Sequence, residues 1–230
     1  MATSGTTAFN MDLTELVEEA FERAGSEMRT GYDLKTARRS LNLMFADWAN
    51  RGVNMWTIEQ GSISLVSGTA TYNLPSDTVD LLEFVIRTNA GNTSTQADLT
   101  MSRISVSTYS SIPSKLSQGR PIQAWIDRQA ATPTVTLWPV PDDAQPYQFV
   151  YWRLKRIEDA GGGVNTMDVP FRFLPCMTAG LAYYLAMKIP GADARLSILK
   201  QQYDEAWELA ATEDREKASY SLVPRYMSIG

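Results

Sequence analysis

The chain has 230 residues, enough for one large domain or two small ones, and its 44% hydrophobic content is typical of a globular fold with a sizeable core. Its net charge is −5, and its 21 Lys and Arg residues are scattered without a basic run, which disfavours sequence-specific DNA binding. With no histidine and a single cysteine, Cys176, the chain excludes an intrachain disulfide, a conventional zinc site and the Ser-His-Asp and Cys-His mechanisms.

Membrane insertion and secretion are not expected. No run approaches the roughly 18 apolar residues that a membrane-spanning helix needs. The first residues, MATSGTTAFNMD, contain neither a basic region nor an apolar segment, so we expect no secretion signal. We therefore expect a protein that contacts no membrane and works in a cytoplasm or inside an assembly.

Two amphipathic helices are predicted near the N-terminus. The first begins at Asp12 and ends at Gly25, with glutamates on its wet face. The second extends from Tyr32 to Gly52, with Asp33 as N-cap and Gly52 as C-terminal stop. Other elements must cover its apolar stripe, which is too apolar for an isolated helix. This stripe consists of Leu34, Ala37, Leu41, Met44, Phe45 and Trp48.

After the second helix the apolar period changes to two, which is typical of strands. Ile63 and Leu65 alternate with serines, and Ser67-Gly68 offers a turn. The segment from Thr69 to Leu74 is predicted as a second strand, closed by Pro75.

The next segment, Val79 to Arg87, is almost continuously apolar and favours a strand covered on both faces. A polar loop from Asn89 to Asp98 follows. The segment from Ser102 to Ser111 fits either a short helix or a strand, and a helix is favoured.

Three further strands are predicted as a meander. They span Pro121 to Arg128, Thr134 to Trp138 and Tyr147 to Lys155. Aromatic residues in this region could stack on bases or sugars, but aromatic strand residues more often pack in a core or in cross-strand pairs. The tryptophans concerned are Trp125, Trp138 and Trp152.

Two more helices are predicted near the C-terminus. Gly161-Gly162-Gly163 predicts a flexible link at a domain boundary and not a phosphate loop, because no Gly-Lys-Ser/Thr follows. A third long helix begins at Pro170 and contains Cys176 as a small core or near-core residue. A fourth begins near Asp193 and has an acidic outer face. Residues 218–230 keep apolar groups but lose the helical period.

Each of the four long helices has one uncovered apolar stripe, so the economical arrangement packs them together with the strands inserted between the second and third. The predicted fold is therefore α+β, a discontinuous four-helix bundle with an inserted antiparallel β domain and an extended C-terminal tail. The predicted domains are 1–54 and 161–217 for the two parts of the helical domain, 55–160 for the β domain and 218–230 for the tail.

The order of several segments resembles a known family. These are RRSLNLMFADWANRG running into MWTIEQGSISL, a YNLP turn, GRP, LWPVP, YWRLKRI and FRFLPCMTAGLAYYLAMKIP followed by an amphipathic helix and a free tail. Together they resemble the head-to-tail adaptor of short-tailed phages, called tail accessory factor or tail tubular protein A in different phages. The second helix with its W-x-x-x-G ending and the third helix with its tail are the most telling parts, and none is a catalytic signature.

The resemblance implies a structural virion protein of the phage neck or tail, assembled in the host cytoplasm, without a catalytic, cofactor or metal site. It implies a ring of twelve copies that docks on the portal protein, continues the DNA channel and presents a surface to a downstream tail or nozzle protein. A closed heterologous ring needs two different complementary surfaces on one subunit. A net negative chain suits a channel through which genomic DNA slides, because it does not grip phosphates.

The tail is predicted to bind the portal, as it does in the resembling family. It is too apolar for a purely solvating tail, while Pro224 and the lost period argue against a helix. Arg225 offers a charge-assisted contact to an acidic portal surface. The alternative is a tail that folds back on its own helical domain. The predicted portal-binding residues are Tyr220, Leu222, Val223, Pro224, Arg225, Tyr226, Met227 and Ile229.

Two other function classes compete with the adaptor. A tail-associated peptidoglycan hydrolase needs only two carboxylates and no histidine, although no pair stands out among the 26 Asp and Glu residues. Release of soluble fragments from purified peptidoglycan would identify it. A carbohydrate-binding module built on the Trp-bearing strands would need exposed indoles.

Overall fold

The computed structural model describes residues 3–29, 31–52, 55–129, 131–215 and 217. Within them the fold is α+β, as predicted, with five α-helices and two sheets. The helices are α1 (Leu13–Ala24), α2 (Gly31–Asn50), α3 (Val106–Ser111), α4 (Leu174–Ala186) and α5 (Asp193–Glu213). The strands are β1 (Ile58–Ser64), β2 (Thr71–Asn73), β3 (Thr78–Thr88), β4 (Ala97–Thr100), β5 (Ser102–Arg103), β6 (Gln123–Asp127), β7 (Thr134–Trp138) and β8 (Gln148–Lys155).

The chain divides into two compact units. The first, which we call the helical unit, consists of Met1–Ser40 and Pro170–Gly230. The second, the strand unit, consists of Leu41–Val169, so the division falls inside α2. The domain boundaries expected from the sequence, after residues 54 and 160, stay a prediction.

Helix α1 shows how local sequence sets the helix ends in the helical unit. The Asp12 carboxylate accepts a hydrogen bond from the Glu15 N–H at 2.9 Å, and the Glu15 carboxylate accepts one from the Asp12 N–H at 3.2 Å. This capping box satisfies N–H groups that have no partner inside the helix. At the other end Gly25 adopts a left-handed φ of 84°, which glycine tolerates best. Both predicted ends are confirmed.

Helix α4 is the centre of the helical unit, and α1 and α5 both pack against it. Ten of its 13 residues are buried, including Cys176, so it is covered on all sides rather than along one stripe. Helix α5 has a one-sided pattern, with Leu199, Tyr203 and Ala210 buried.

The strand unit contains two four-stranded sheets that share one core. Their strand orders are β1-β8-β3-β4 and β2-β7-β6-β5. All pairings are antiparallel except the short parallel pair between β5 and β6. The shared core contains Leu74, Leu81, Phe84, Ala124, Ile126, Val135, Leu137, Phe149 and Tyr151.

The predicted meander of three strands is wrong in its last member. Strands β6 and β7 do form an antiparallel pair, but β8 lies in the other sheet between β1 and β3. The segment expected to follow the Ser67-Gly68 turn forms β2, which pairs with β7 and not with β1. Strand β8 has buried residues on both faces, and a central position between two strands provides that burial.

Two smaller expectations also differ from the structure. Asp33 is not the N-cap of α2, because the helix begins at Gly31 and the Asp33 carboxylate accepts a hydrogen bond from the Arg29 N–H at 3.1 Å. Strand β3 is covered on both faces only in part, since Leu82 and Glu83 are exposed where the register with β8 shifts. The apolar stripe of α2 is buried as predicted, except that Leu34 is half-buried.

Candidate interaction surfaces

The predicted portal-binding residues, from Tyr220 to Ile229, lie outside the described residues. The last described residue before them, Lys217, pairs with Glu213 one helical turn earlier. The hydrogen bond from Lys217 lowers the pKa of Glu213. Both side chains of this pair are exposed, so it contributes little to stability.

A second ion pair lies at the end of α5 and is more buried than the first. Arg172, in the short 3-10 helix Phe171–Phe173 before α4, donates a hydrogen bond from Nη2 to Oδ1 of Asp214, the C-cap residue of α5. The Asp214 side chain is only 4% exposed. Phe173 and Trp207 meet edge to face beside this pair, with ring centroids 5.9 Å apart. The residues that precede the tail are therefore anchored to the start of α4.

The outer face of α5 is an exposed surface of mixed character. Ile198 and Leu209, eleven positions apart on one side of the helix, are 58% and 75% exposed. A shallow hollow of about 330 Å³ lies beside Ile198, and another of about 520 Å³ lies beside Leu209. The hollows are lined by Arg23, Arg195, Ile198, Leu199 and Gln202, and by Glu205, Glu208, Leu209, Thr212 and Glu213.

The first half of α2 presents a basic face in the same unit. Tyr32, Lys35 and Arg39 are all exposed on one side of the helix. Lys188, just after α4, donates a hydrogen bond from Nζ to the Ser40 hydroxyl at 2.6 Å. Burial, and then the nearby positive charge of Arg39, hold the pKa of Lys188 below its ordinary value. Positive charges are therefore concentrated here.

An exposed aromatic pair forms a third surface of the helical unit. The rings of Phe9 and Phe171 meet edge to face, with centroids 6.4 Å apart. Both side chains are nonetheless about two-thirds exposed, at 67% and 68%. The pair therefore leaves exposed aromatic surface beside the start of α4.

In the strand unit the main polar cluster surrounds Arg153. This residue is 8% exposed on the core-facing side of β8, directly opposite Glu59 of β1. Its guanidinium donates from Nε to Glu59 at 3.0 Å and from Nη1 to Asp77 at 2.6 Å and to the Thr78 hydroxyl at 3.0 Å. The hydrogen bond from Arg153 lowers the pKa of Asp77, opposite to the shift of a general acid. The cluster is therefore structural.

The three tryptophans of the strands are half-buried, and each one contacts or lies beside residues of neighbouring segments. The Trp125 ring stacks on Tyr109 of α3, with centroids 5.3 Å apart. The Trp138 indole N–H donates to the Ser114 carbonyl at 3.0 Å. Trp152 lies between Gln60 and Glu83 of the neighbouring strands. These contacts favour a packing role over a sugar-stacking platform.

A groove of about 300 Å³ in the strand unit runs between the second half of α2 and the segment after β8. The side-chain carbonyl of Asn42, one of the residues that line it, accepts a hydrogen bond from the Ala160 N–H at 2.9 Å. Its two carboxylates, Glu158 and Asp159, are both exposed. Exposed carboxylates lack the apolar setting in which a hydrolase holds its general acid.

Across the described ranges, no three or more His, Cys, Asp or Glu side chains come together in a group that could hold a metal ion. None of the helices described is both long and apolar enough to cross a membrane.

The acidic outer face of α5 is predicted from the sequence, whereas the basic face of α2 is not. The spacing of charged residues along each helix indicates such a face. Which side of the helix stays exposed, however, depends on tertiary packing.

Comparison with known proteins gives one clear match. A model of the family described as SU10 adaptor protein matches residues 11–225. The matched range includes every described helix and strand and continues into the tail as far as Arg225. No curated protein matches the chain significantly.

Proposed function

The chain belongs to the SU10 adaptor protein family, and on this premise we propose that it forms a head-to-tail adaptor ring that docks on the phage portal and continues its DNA channel. The family match over nearly the whole chain is the observation that carries the proposal. Adaptors are structural components of the virion, which agrees with the resemblance seen in the sequence.

The ring would be heterologous, with about twelve copies as in the resembling adaptors. Such a ring needs two different surfaces on each subunit, and the helical unit has an acidic face on α5 and a basic face on α2. The free protein would be largely monomeric and would assemble on the portal, because no long coiled-coil seam demands a permanent oligomer.

Portal docking would use the C-terminal tail as an extended arm. The family match includes the first part of this tail, from Tyr220 to Arg225. The apolar tail residues would be buried in a portal groove, with Arg225 paired to an acidic portal group. The ion pair of Arg172 with Asp214 would hold the base of this arm.

The overall organisation would be a discontinuous helical bundle interrupted by the strand insert. In this arrangement the helical unit carries the portal arm, and the strands offer an attachment surface for the next tail or nozzle protein. The net charge of −5 would let genomic DNA slide through the channel without tight phosphate contacts.

The proposal is tested by measuring the size of the protein with and without purified portal rings from the same phage. At micromolar concentration we expect the free protein to be largely monomeric and the mixture to contain a larger complex with many copies per portal. If the chain does not bind portal rings, the proposed function is wrong.

The role of the tail is tested by deleting the residues after Lys217. We expect portal binding to be lost with little change in melting temperature. Arg225→Ala should weaken binding, and Lys217→Ala serves as the matched control because it removes a positive charge just before the tail. A large fall in melting temperature with portal binding retained would show instead that the tail folds back on the helical unit.

A further inference from the structure

Two exposed helix faces in the helical unit share one residue spacing and carry opposite charges. On α2 the positions are Tyr32, Lys35 and Arg39, and on α5 they are Ile198, Gln201 and Glu205. In each set an apolar residue is followed after three positions by a polar one and after seven by a charged one. Seven residues of α-helix span about 10 Å, so the apolar group and the charge are equally far apart on both faces.

The apolar members of both faces are strongly exposed. Tyr32 is 71% exposed on α2, while Ile198 and Leu209 are 58% and 75% exposed on α5. Exposed apolar residues that recur along one helix face, as Ile198 and Leu209 do on α5, mark a contact surface more often than isolated ones do. Both faces therefore have apolar surface to bury against a partner.

The charges of the two faces are complementary. From Gln201 to Glu213 the α5 sequence contains several acidic residues and neither Lys nor Arg, while Arg195 and Lys200 precede this stretch. From Leu34 to Ala46 the α2 sequence contains Lys35, Arg38 and Arg39 and no acidic residue.

Within the part of the chain that the structure describes, Lys35, Arg39 and Glu208 take part in no ion pair. Glu205 accepts a hydrogen bond from its neighbour Gln201 at 2.8 Å. The positive charge of Arg39 also acts on Lys188. A carboxylate facing these cations from outside would relieve that repulsion.

We propose that the α5 face of one copy packs on the α2 face of a second copy, with Glu205 and Glu208 opposite Lys35 and Arg39. The inference rests on the proposed adaptor ring and names the surfaces that join its subunits. The contact is heterologous, because the two faces differ and both lie on the same unit, so it repeats from copy to copy.

A second copy fits these faces better than the chain's own tail does. The tail sequence, residues 218–230, contains one charged residue, Arg225, and cannot balance the several carboxylates of α5. It also contains no acidic side chain for the basic face of α2. A second copy of the chain supplies both an acidic face for α2 and a basic face for α5.

The test measures self-association of the full chain without portal, by sedimentation at low salt up to about 1 mM, where contacts of millimolar Kd are detected. Three variants reverse the charges: Glu205→Lys with Glu208→Lys, Lys35→Glu with Arg39→Glu, and all four substitutions together. We expect concentration-dependent association of the unmodified protein, weakened about tenfold or more in each double variant because attraction becomes repulsion. The fourfold variant should associate within about threefold of the unmodified protein.

The matched control is Glu18→Lys with Glu22→Lys, two exposed residues of α1 that give the same change of net charge as the α5 variant. It should leave association unchanged. Mixing the two double variants should restore association even if the fourfold variant fails to fold, since each supplies the complement of the other.

The proposal is overturned if the unmodified protein stays monomeric throughout, if the double variants associate normally, or if neither the mixture nor the fourfold variant recovers. Self-association that depends on the tail, and not on the charges of α2, would mean instead that the α5 face binds the tail. Portal binding is measured separately, so failure of this contact and failure of the adaptor function remain distinguishable.

Discussion

At the scale of single residues, Gly61 shows how one missing side chain makes room for another. Gly61 in β1 lies directly opposite Tyr151 in β8. A Cβ atom at position 61 would lie 2.5 Å from the Tyr151 ring, far inside van der Waals contact. The Tyr151 ring is therefore buried over a backbone that only glycine leaves uncovered.

We expect Gly61→Ala to lower the free energy of unfolding by about 1–3 kcal/mol, because the Tyr151 ring must move out of a packed core. Chemical denaturation followed by tryptophan fluorescence measures this loss. Gly119→Ala is the control, since a Cβ there would make an ordinary 3.7 Å contact with Pro139. Equal stability of the two variants would contradict this account of Tyr151.

The stability of the strand unit is expected to depend on pH through Asp77, whose carboxylate accepts a hydrogen bond from the nearly buried Arg153. This bond lowers the pKa of Asp77 below its ordinary value of 3.8. A carboxylate with a lowered folded-state pKa stabilises the fold above its unfolded pKa, and the contribution is lost as pH falls through the folded-state pKa.

We therefore expect Asp77→Asn to be less stable than the unmodified protein at neutral pH, with a constant difference above about pH 5. The difference should shrink as the pH falls below 3.8, the ordinary value. Denaturation curves at several pH values measure it. Asp143→Asn, at an exposed position, is the control for the loss of one carboxylate. A difference that grows on acidification would contradict the assignment.

At the scale of elements, the end of α5 carries two ion pairs of different character. Arg172 pairs with the buried Asp214, whereas Lys217 pairs with Glu213 in full contact with water. Burial strengthens a charge-assisted hydrogen bond, while exposure lets solvent screen it. The first pair is expected to hold α5 to the start of α4, and the second is expected to contribute little.

Arg172→Met should lower the free energy of unfolding by about 1.5–3 kcal/mol, the usual range for a hydrogen bond to a charged group. Lys217→Met should produce no measurable change. Thermal unfolding followed by circular dichroism at 222 nm compares them, because the helices dominate that signal. If both variants unfold like the unmodified protein, the Arg172 pair does not anchor α5.

At the scale of the whole molecule, the predicted insertion of the strands into a helical domain can be tested directly. Replacing residues 58–158 with a short Gly-Ser linker should leave a soluble helical protein, because α1, α4 and α5 pack together in one unit. Circular dichroism and size analysis provide the readout. An unfolded or aggregated product would show that the helices need the strands, and the insertion model would then fail.

Local sequence determined the elements whose ends and faces depend on neighbouring residues. The capping box of Asp12 with Glu15 and the left-handed Gly25 act within one helical turn, so α1 is predictable from its own residues. Helix α5 and the mixed fold class follow from apolar periods in the same way. The family was recognisable as well, because the order of such segments is itself a property of the sequence. The outer face of α5 was visible as an acidic stripe.

Tertiary structure alone decided the pairings between distant residues. Strand β8 joins β1 through pairs such as Ile58 with Leu154, and its apolar period is equally compatible with the meander expected beside β7. Arg153 is buried because Glu59 and Asp77, 94 and 76 positions away, supply its partners. A residue pattern reports which side of an element is apolar, whereas the identity of the covering element depends on contacts between segments far apart in the chain.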